Sequence, residues 1–87
     1  MAGYRLFVKP SAAEELEAIG SRADRRRIVE RIAALASDPR PRGCTKLAGH
    51  EDRFRIRQGS YRVVYRVDDT CREITVFKIG HRRDVYR

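Results

Sequence analysis

From Arg53 to Arg66 the chain alternates, with Phe54, Ile56, Tyr61, Val63 and Tyr65 set against Arg53, Arg55, Arg57, Arg62 and Arg66. A period of two is that of a half-buried strand, and Gly59-Ser60 divides the run as a two-residue hairpin turn in which glycine supplies the positive φ. Such a loop sets Gln58 opposite Tyr61, Arg57 opposite Arg62, Ile56 opposite Val63, Phe54 opposite Tyr65 and Arg53 opposite Arg66, and opposed residues share a face. A three-residue loop would scramble those faces. One face then carries Phe54, Ile56, Tyr61, Val63, Tyr65 and Val67 and covers a core, while the other carries the arginines together with Val64.

The flanking segments supply that core. Tyr4, Leu6 and Val8 alternate with Arg5, Phe7 and Lys9, which predicts a first strand running to Pro10, with Phe7 making both faces partly apolar. Ser11 and Glu14 have the spacing of a capping box, predicting a helix from Ala12 to just before Gly20 with Leu16 and Ile19 turned inward. Ser21 and Asp24 repeat the spacing, and Ile28, Ile32 and Leu35 with Val29 and Ala36 make the stripe of a second helix ending at Ser37-Asp38-Pro39. Asp38 to Gly43 is a breaker-rich loop, Lys46-Leu47-Ala48-Gly49 leads into the hairpin, and Asp68-Asp69 mark the next turn. Glu73 to Ile79 is a last strand, apolar at Ile74, Val76, Phe77 and Ile79, and so expected to be central and covered on both sides. The order β-α-α-β-β-β predicts an α+β fold: two N-terminal helices on one face of a small antiparallel sheet, in one domain over residues 1–87, with a short C-terminal tail or helix.

Composition adds charge to this picture. A chain of 87 residues with net charge +8 and pI near 10.3 has a modest core and favours a polyanion or an acidic protein as partner. Only Lys9, Lys46 and Lys78 among its basic residues are lysine. Arg25, Arg26, Arg27 and Arg31 fall early in the second helix, against its dipole, and read as a solvated face. Two helices joined by a glycine turn also suggest a helix-turn-helix, but the third helix such domains need is missing. Cys44, Cys71, His50 and His81 lack the spacing of a zinc site, and two unpaired thiols are expected. With no signal peptide and no apolar run near the length of a membrane span, the expected location is cytoplasmic.

Like charges opposed in a ladder are mildly destabilising, and no acidic side chain lies within the fourteen hairpin residues. The face is either ordinary solvated surface or a field for anions, which guanidinium groups grip in bidentate fashion. The tail His81-Arg82-Arg83-Asp84-Val85-Tyr86-Arg87 leaves the sheet beside it with two more arginines, an imidazole and a phenol. Basic side chains interleaved with an aromatic able to stack on a base are a common way of holding single-stranded RNA.

Lys46-Leu47-Ala48-Gly49, Arg55-Ile56-Arg57, Tyr61-Arg62-Val63-Val64-Tyr65 and Ile79-Gly80-His81-Arg82 with Tyr86 occur in an order and spacing that resembles the RelE/ParE toxin superfamily, specifically its RelE-type toxins. The resemblance runs from Tyr4 to Tyr86. It implies the toxin of a type II toxin–antitoxin pair: a ribosome-dependent mRNA endoribonuclease needing no metal or other cofactor, in which the RNA's 2′-hydroxyl attacks the adjacent phosphorus and leaves a 2′,3′-cyclic phosphate. Its implied partners are an acidic RelB-type antitoxin, the ribosome and its A-site mRNA, and operator DNA for the toxin–antitoxin complex; no membrane is involved. In the family pattern Arg55 and Arg57 stand where two basic residues grip the backbone and one manages the attacking hydroxyl's proton. Arg62 and Arg82 stand where arginines stabilise the phosphorane, and Tyr86 where a tyrosine stacks on a base. Arg53, Arg66, Lys46 and Arg83 are expected to extend the nucleic-acid contact. The best-known members carry lysine at the positions of Arg55 and Arg57, and arginine in practice does not lose its proton. His81 is therefore a candidate general base that the family pattern does not supply. Two alternatives remain open: a ParE-like toxin that poisons gyrase without nuclease activity, and a catalytically weak relative that mainly binds its antitoxin and represses their operon.

Overall fold

The hairpin forms with the register its turn demands. In the computed structural model, which describes residues 3–81, β3 (Arg53–Gln58) pairs with β4 (Tyr61–Asp68) as Gln58 with Tyr61, Arg57 with Arg62, Ile56 with Val63, Phe54 with Tyr65 and Arg53 with Arg66. Gly59 sits at φ 61°, the left-handed conformation that a side chain resists. Around this pair stand β1 (Arg5–Val8), α1 (Pro10–Glu17), α2 (Arg22–Leu35), β2 (Thr45–Lys46) and β5 (Glu73–His81), and the five strands make one sheet in the order β1-β5-β4-β3-β2. The α+β class and the helix pair on one sheet face match expectation. The sheet itself is mixed: β3, β4 and β5 form an antiparallel meander, β2 adds a short antiparallel edge, and β1 runs parallel to β5, with Leu6 beside Ile74 and Val8 beside Val76.

Ala12 and Ile19, from α1 and the turn after it, and Ile28, Ile32 and Leu35 from α2 bury against Phe54, Ile56, Val63, Tyr65, Val67, Ile74, Val76 and Ile79 of the sheet. Val29 and Val8, expected with the inward stripes, are 45% and 38% exposed. Val29 follows Ile28 by one helical step of about 100°, which carries it off the buried face, and Val8 lies on the sheet's outermost strand. The second helix starts as its sequence predicts, Ser21 Oγ accepting the backbone N–H of Asp24 at 3.2 Å. The first starts two residues before Ala12. Pro10 occupies its first turn with Lys9 as N-cap, and Ser11 makes no capping bond. Proline's fixed φ and missing N–H suit it to that position better than any side-chain cap.

Three ties close the molecule. Glu15 of α1 continues the edge of β5 past the end of β1, accepting the Ile79 N–H and the Lys78 ammonium at 3.0 Å each. The buried Tyr65 hydroxyl donates to the Pro39 carbonyl at 2.7 Å and so fastens the loop after α2. Asp69, in the β4–β5 turn, accepts from Tyr4 at 2.6 Å and from Arg40 at 2.5 Å. Cys44 is partly buried, Cys71 is exposed, and both are free thiols. Among the described residues no helix is long and apolar enough to cross a membrane.

Candidate nucleic-acid interface

The helices cover one face of the sheet, and the ladder assigns Arg53, Arg55, Arg57, Arg62, Val64 and Arg66 to the other. On this second face Arg57 and Arg62 stand opposite each other, and Arg62 is followed across the next ladder by Gly80, whose lack of a side chain leaves the row to the two arginines. Arg62 is only 6% exposed, while Arg57 is exposed. A guanidinium held in so dry a position acts through a lower effective dielectric than one in water, which strengthens its pull on an anion. Arg55 lies one pair further along, opposite Val64, and donates from Nη2 to Thr45 Oγ1 at 3.3 Å, so β2 steadies it.

The remaining candidates divide. Arg53 shares the arginine face but bends over β4, placing Cζ 4.4 Å from the centroid of Phe77 on β5. Arg66 also shares the face, yet it is neutralised: Asp52 Oδ2 lies 2.7 Å from its Nε and Asp68 Oδ2 3.8 Å from Nη2. Its hydrogen bond is the main cause holding the Asp52 carboxyl below the usual range, and it raises the Arg66 pKa in turn. The expectation of a face without local carboxylates thus fails at Arg66, because Asp52 and Asp68 sit just outside the fourteen-residue run. Lys46 pairs with Phe54 and so belongs to the helix-bearing side of the edge strand. His81 pairs with Tyr61, the two rings meeting edge to face at 5.9 Å, so it too leaves the ladder on the side away from Arg57 and Arg62. Arg82, Arg83 and Tyr86 lie outside the described residues.

Phe77 and Lys9 were not singled out by the sequence, although Val76-Phe77, two apolar neighbours within an alternating strand, is the mark of a slipped phase. The slip is a bulge: Tyr65 pairs with Val76 but Val64 pairs with Lys78, leaving Phe77 as the extra residue. Depressions of about 210 and 310 Å³ lie along α2, lined by Arg31, Leu35 and Pro41 and by Arg26, Arg27 and Glu30, away from the arginine face. Among the described residues no three His, Cys, Asp or Glu side chains converge as metal ligands.

Residues 6–86 match the family described as ParE toxin of type II toxin-antitoxin system, parDE. The chain belongs to this family. Its fold is similar to that of the RelE-RelB complex from Pyrococcus horikoshii OT3, with 30% identity and TM-score 0.83 over 95% of this chain and 99% of that one. The isolated RelE toxin of E. coli is 29% identical, with TM-score 0.77 over 95% of this chain and 90% of that one. Toxin RelG of Mycobacterium tuberculosis is 41% identical over 34 residues, a stretch that spans 39% of either chain. The protein is thus a RelE/ParE-type toxin of a type II toxin–antitoxin system.

Proposed function

We propose that this toxin is a ribosome-dependent mRNA endoribonuclease that cuts in the A site without a metal ion. The observation that carries the reading is the row of Arg57 and Arg62, with Arg55 beside it, on a sheet face that the helices leave uncovered. In-line attack of a 2′-hydroxyl on the adjacent phosphorus forms the new P–O bond, expels the 5′-oxygen and leaves a 2′,3′-cyclic phosphate. The phosphorane on that path carries more negative charge than the diester. Guanidinium donors fixed beforehand therefore bind it more strongly than the substrate and lower the barrier.

Arg55 and Arg57 grip the backbone in this scheme, Arg62 and Arg82 stabilise the phosphorane, and Tyr86 stacks on a base. The arginines cannot serve as the base that takes the 2′-hydroxyl proton. His81 or a group of the ribosomal RNA does so, and the pairing of His81 with Tyr61 favours the ribosomal group. An unchanged rate and pH profile in His81→Ala would assign the proton to the ribosome. The partner is a RelB-type acidic antitoxin, as the RelE-RelB complex among its structural relatives supports; the complex of the two binds operator DNA, and the site of action is the cytoplasm.

The family description supports a second reading, a ParE-like toxin that inhibits gyrase and cuts nothing. One pair of assays separates them. Ribosomes programmed with a defined message should show A-site cuts with the wild-type toxin and far slower cutting with Arg62→Ala or Tyr86→Ala; an intact message together with blocked gyrase supercoiling would establish the second reading instead.

A further inference from the structure

The most unusual cluster outside the arginine row is a solvent-side ring held by two cations. Arg53 Cζ lies 4.4 Å and Lys9 Nζ 4.6 Å from the centroid of the half-buried Phe77. Three separate elements build it. Lys9 is fixed as the N-cap of α1 by its backbone bond to the Val76 carbonyl at 3.0 Å, Arg53 opens β3, and Phe77 faces outward by alternation from the core-facing Val76, the bulge after it letting Ile79 return to the core. For stability alone, each exposed cation–π contact contributes about 0.5–1 kcal/mol, and crowding two like charges over one ring works against it. Asp52 feels the Arg53 charge, but its close contact, at 2.7 Å, goes to Arg66.

We propose that Phe77, Arg53 and Lys9 form a stacking subsite for a nucleotide of single-stranded RNA, next to the place of the scissile phosphate. The inference rests on the nuclease reading and extends it. Aromatic rings and guanidinium planes are the surfaces on which unpaired bases stack, and an ammonium at the margin suits the neighbouring phosphate. Arg53 lies two residues along β3 from Arg55, about 7 Å on the same face, so a strand gripped at Arg55 and Arg57 continues over it. Arg66, neutralised by Asp52 and Asp68, closes that row to a further phosphate and directs the strand across β4 toward Phe77.

The test compares a fluorescein-labelled hexaadenosine RNA with an abasic strand of the same length, by anisotropy at low salt, alongside the A-site cleavage assay. The wild type should prefer the base-bearing strand. Phe77→Leu should weaken that strand's binding about tenfold, within the range of one lost stacking partner, and leave the abasic strand unaffected; Phe77→Trp should restore it. Lys9→Gln should weaken both strands and flatten the salt dependence. Loss of the wild-type preference, or a folded Phe77→Leu protein that binds both strands as the wild type does, overturns the subsite while cleavage in the same samples leaves the nuclease standing. Absence of cleavage by the wild type removes both. Melting curves of the two Phe77 variants separate a stacking defect from a folding one, since only a stacking defect is repaired by Trp at unchanged melting temperature.

Discussion

Arg57 lies directly opposite Arg62 across the hairpin, two cations on one face of one ladder, the second almost wholly buried. Like charges opposed in a ladder cost stability, so the pairing itself does not favour folding. Arg57→Ala should therefore leave the melting temperature unchanged or raise it slightly, whereas Arg62→Ala should lower the A-site cleavage rate by about 10²–10³-fold, the effect of removing one preorganised charge donor. Thermal melts and single-turnover cleavage read the two effects separately. A large fall in stability with Arg57→Ala, or full cleavage with Arg62→Ala, would mean that the row is structural.

Arg66 offers the opposite case, a guanidinium on the same face whose charge is already answered by Asp52 at 2.7 Å. Asp52→Asn should release it to a phosphate. The expected result is tighter binding of single-stranded RNA at low salt and a salt dependence steeper by about 0.7 in the log–log slope, the increment for one further phosphate on a single strand. Arg66→Ala in the wild-type background should change neither quantity. Titrations at three salt concentrations suffice, and a slope unmoved by Asp52→Asn would show that Arg66 cannot reach the strand.

The contrast between these two arginines also marks what the chain discloses before folding. The register of β3 and β4 is legible because a two-residue turn and a period-two pattern leave one solution, and the arginine row follows from it. What stays hidden depends on partners distant in sequence or just beyond the pattern. The parallel contact of β1 with β5 joins the two ends of the chain and has no local signature. Asp52 neutralises Arg66 from one residue outside the hairpin, and the bulge at Phe77 lets that ring and Lys78 both lie on the arginine side before Ile79 returns to the core, although the strand reads simply as apolar. Neither the motif around Lys46 nor the near-neutral titration of an imidazole that singles out His81 tells which side they take; their ladder partners Phe54 and Tyr61 do. The capping box at Ser11 lost to Pro10, whose ring decides the helix start on its own.

The buried faces predict stability as plainly as the arginines predict activity. Ile56 is fully buried between the helices and the sheet, so Ile56→Ala should cost about 2–5 kcal/mol, the usual range for emptying such a site. Tyr65→Phe keeps the ring, its stack on Phe54 and nearly all its volume, and removes the hydroxyl's bond to the Pro39 carbonyl together with its contact with the Cys44 thiol. It should cost about 0.5–1.5 kcal/mol. Burial raises the pKa of this phenol, so the bond holds throughout the neutral range. Urea unfolding of the two variants gives both values, and a Tyr65→Phe loss as large as that of Ile56→Ala would mean that the Pro39 tie organises the whole loop.

Asp69 sets a pH limit on the other closure. Its carboxyl is held below the ordinary range, first by the hydrogen bond from Tyr4 and then by that from Arg40. A carboxylate with a depressed pKa in the folded state contributes stability that is fully present above the unfolded value, about 3.9, and is lost as pH falls through the folded one. The Tyr4 phenol is shifted the other way by the same bond, so its share is present below the unfolded tyrosine value of about 10 and is lost only as pH rises through its own raised pKa. The stability difference between the wild type and Asp69→Asn should therefore be flat from pH 7 down to about 4, shrink below that, and shrink again in strong alkali. Because the group is exposed, added salt should reduce the plateau without moving its edges much. Urea midpoints of the two proteins across this range check the sign, and a difference that grew toward acid would show that the Asp69 contacts do not form in solution.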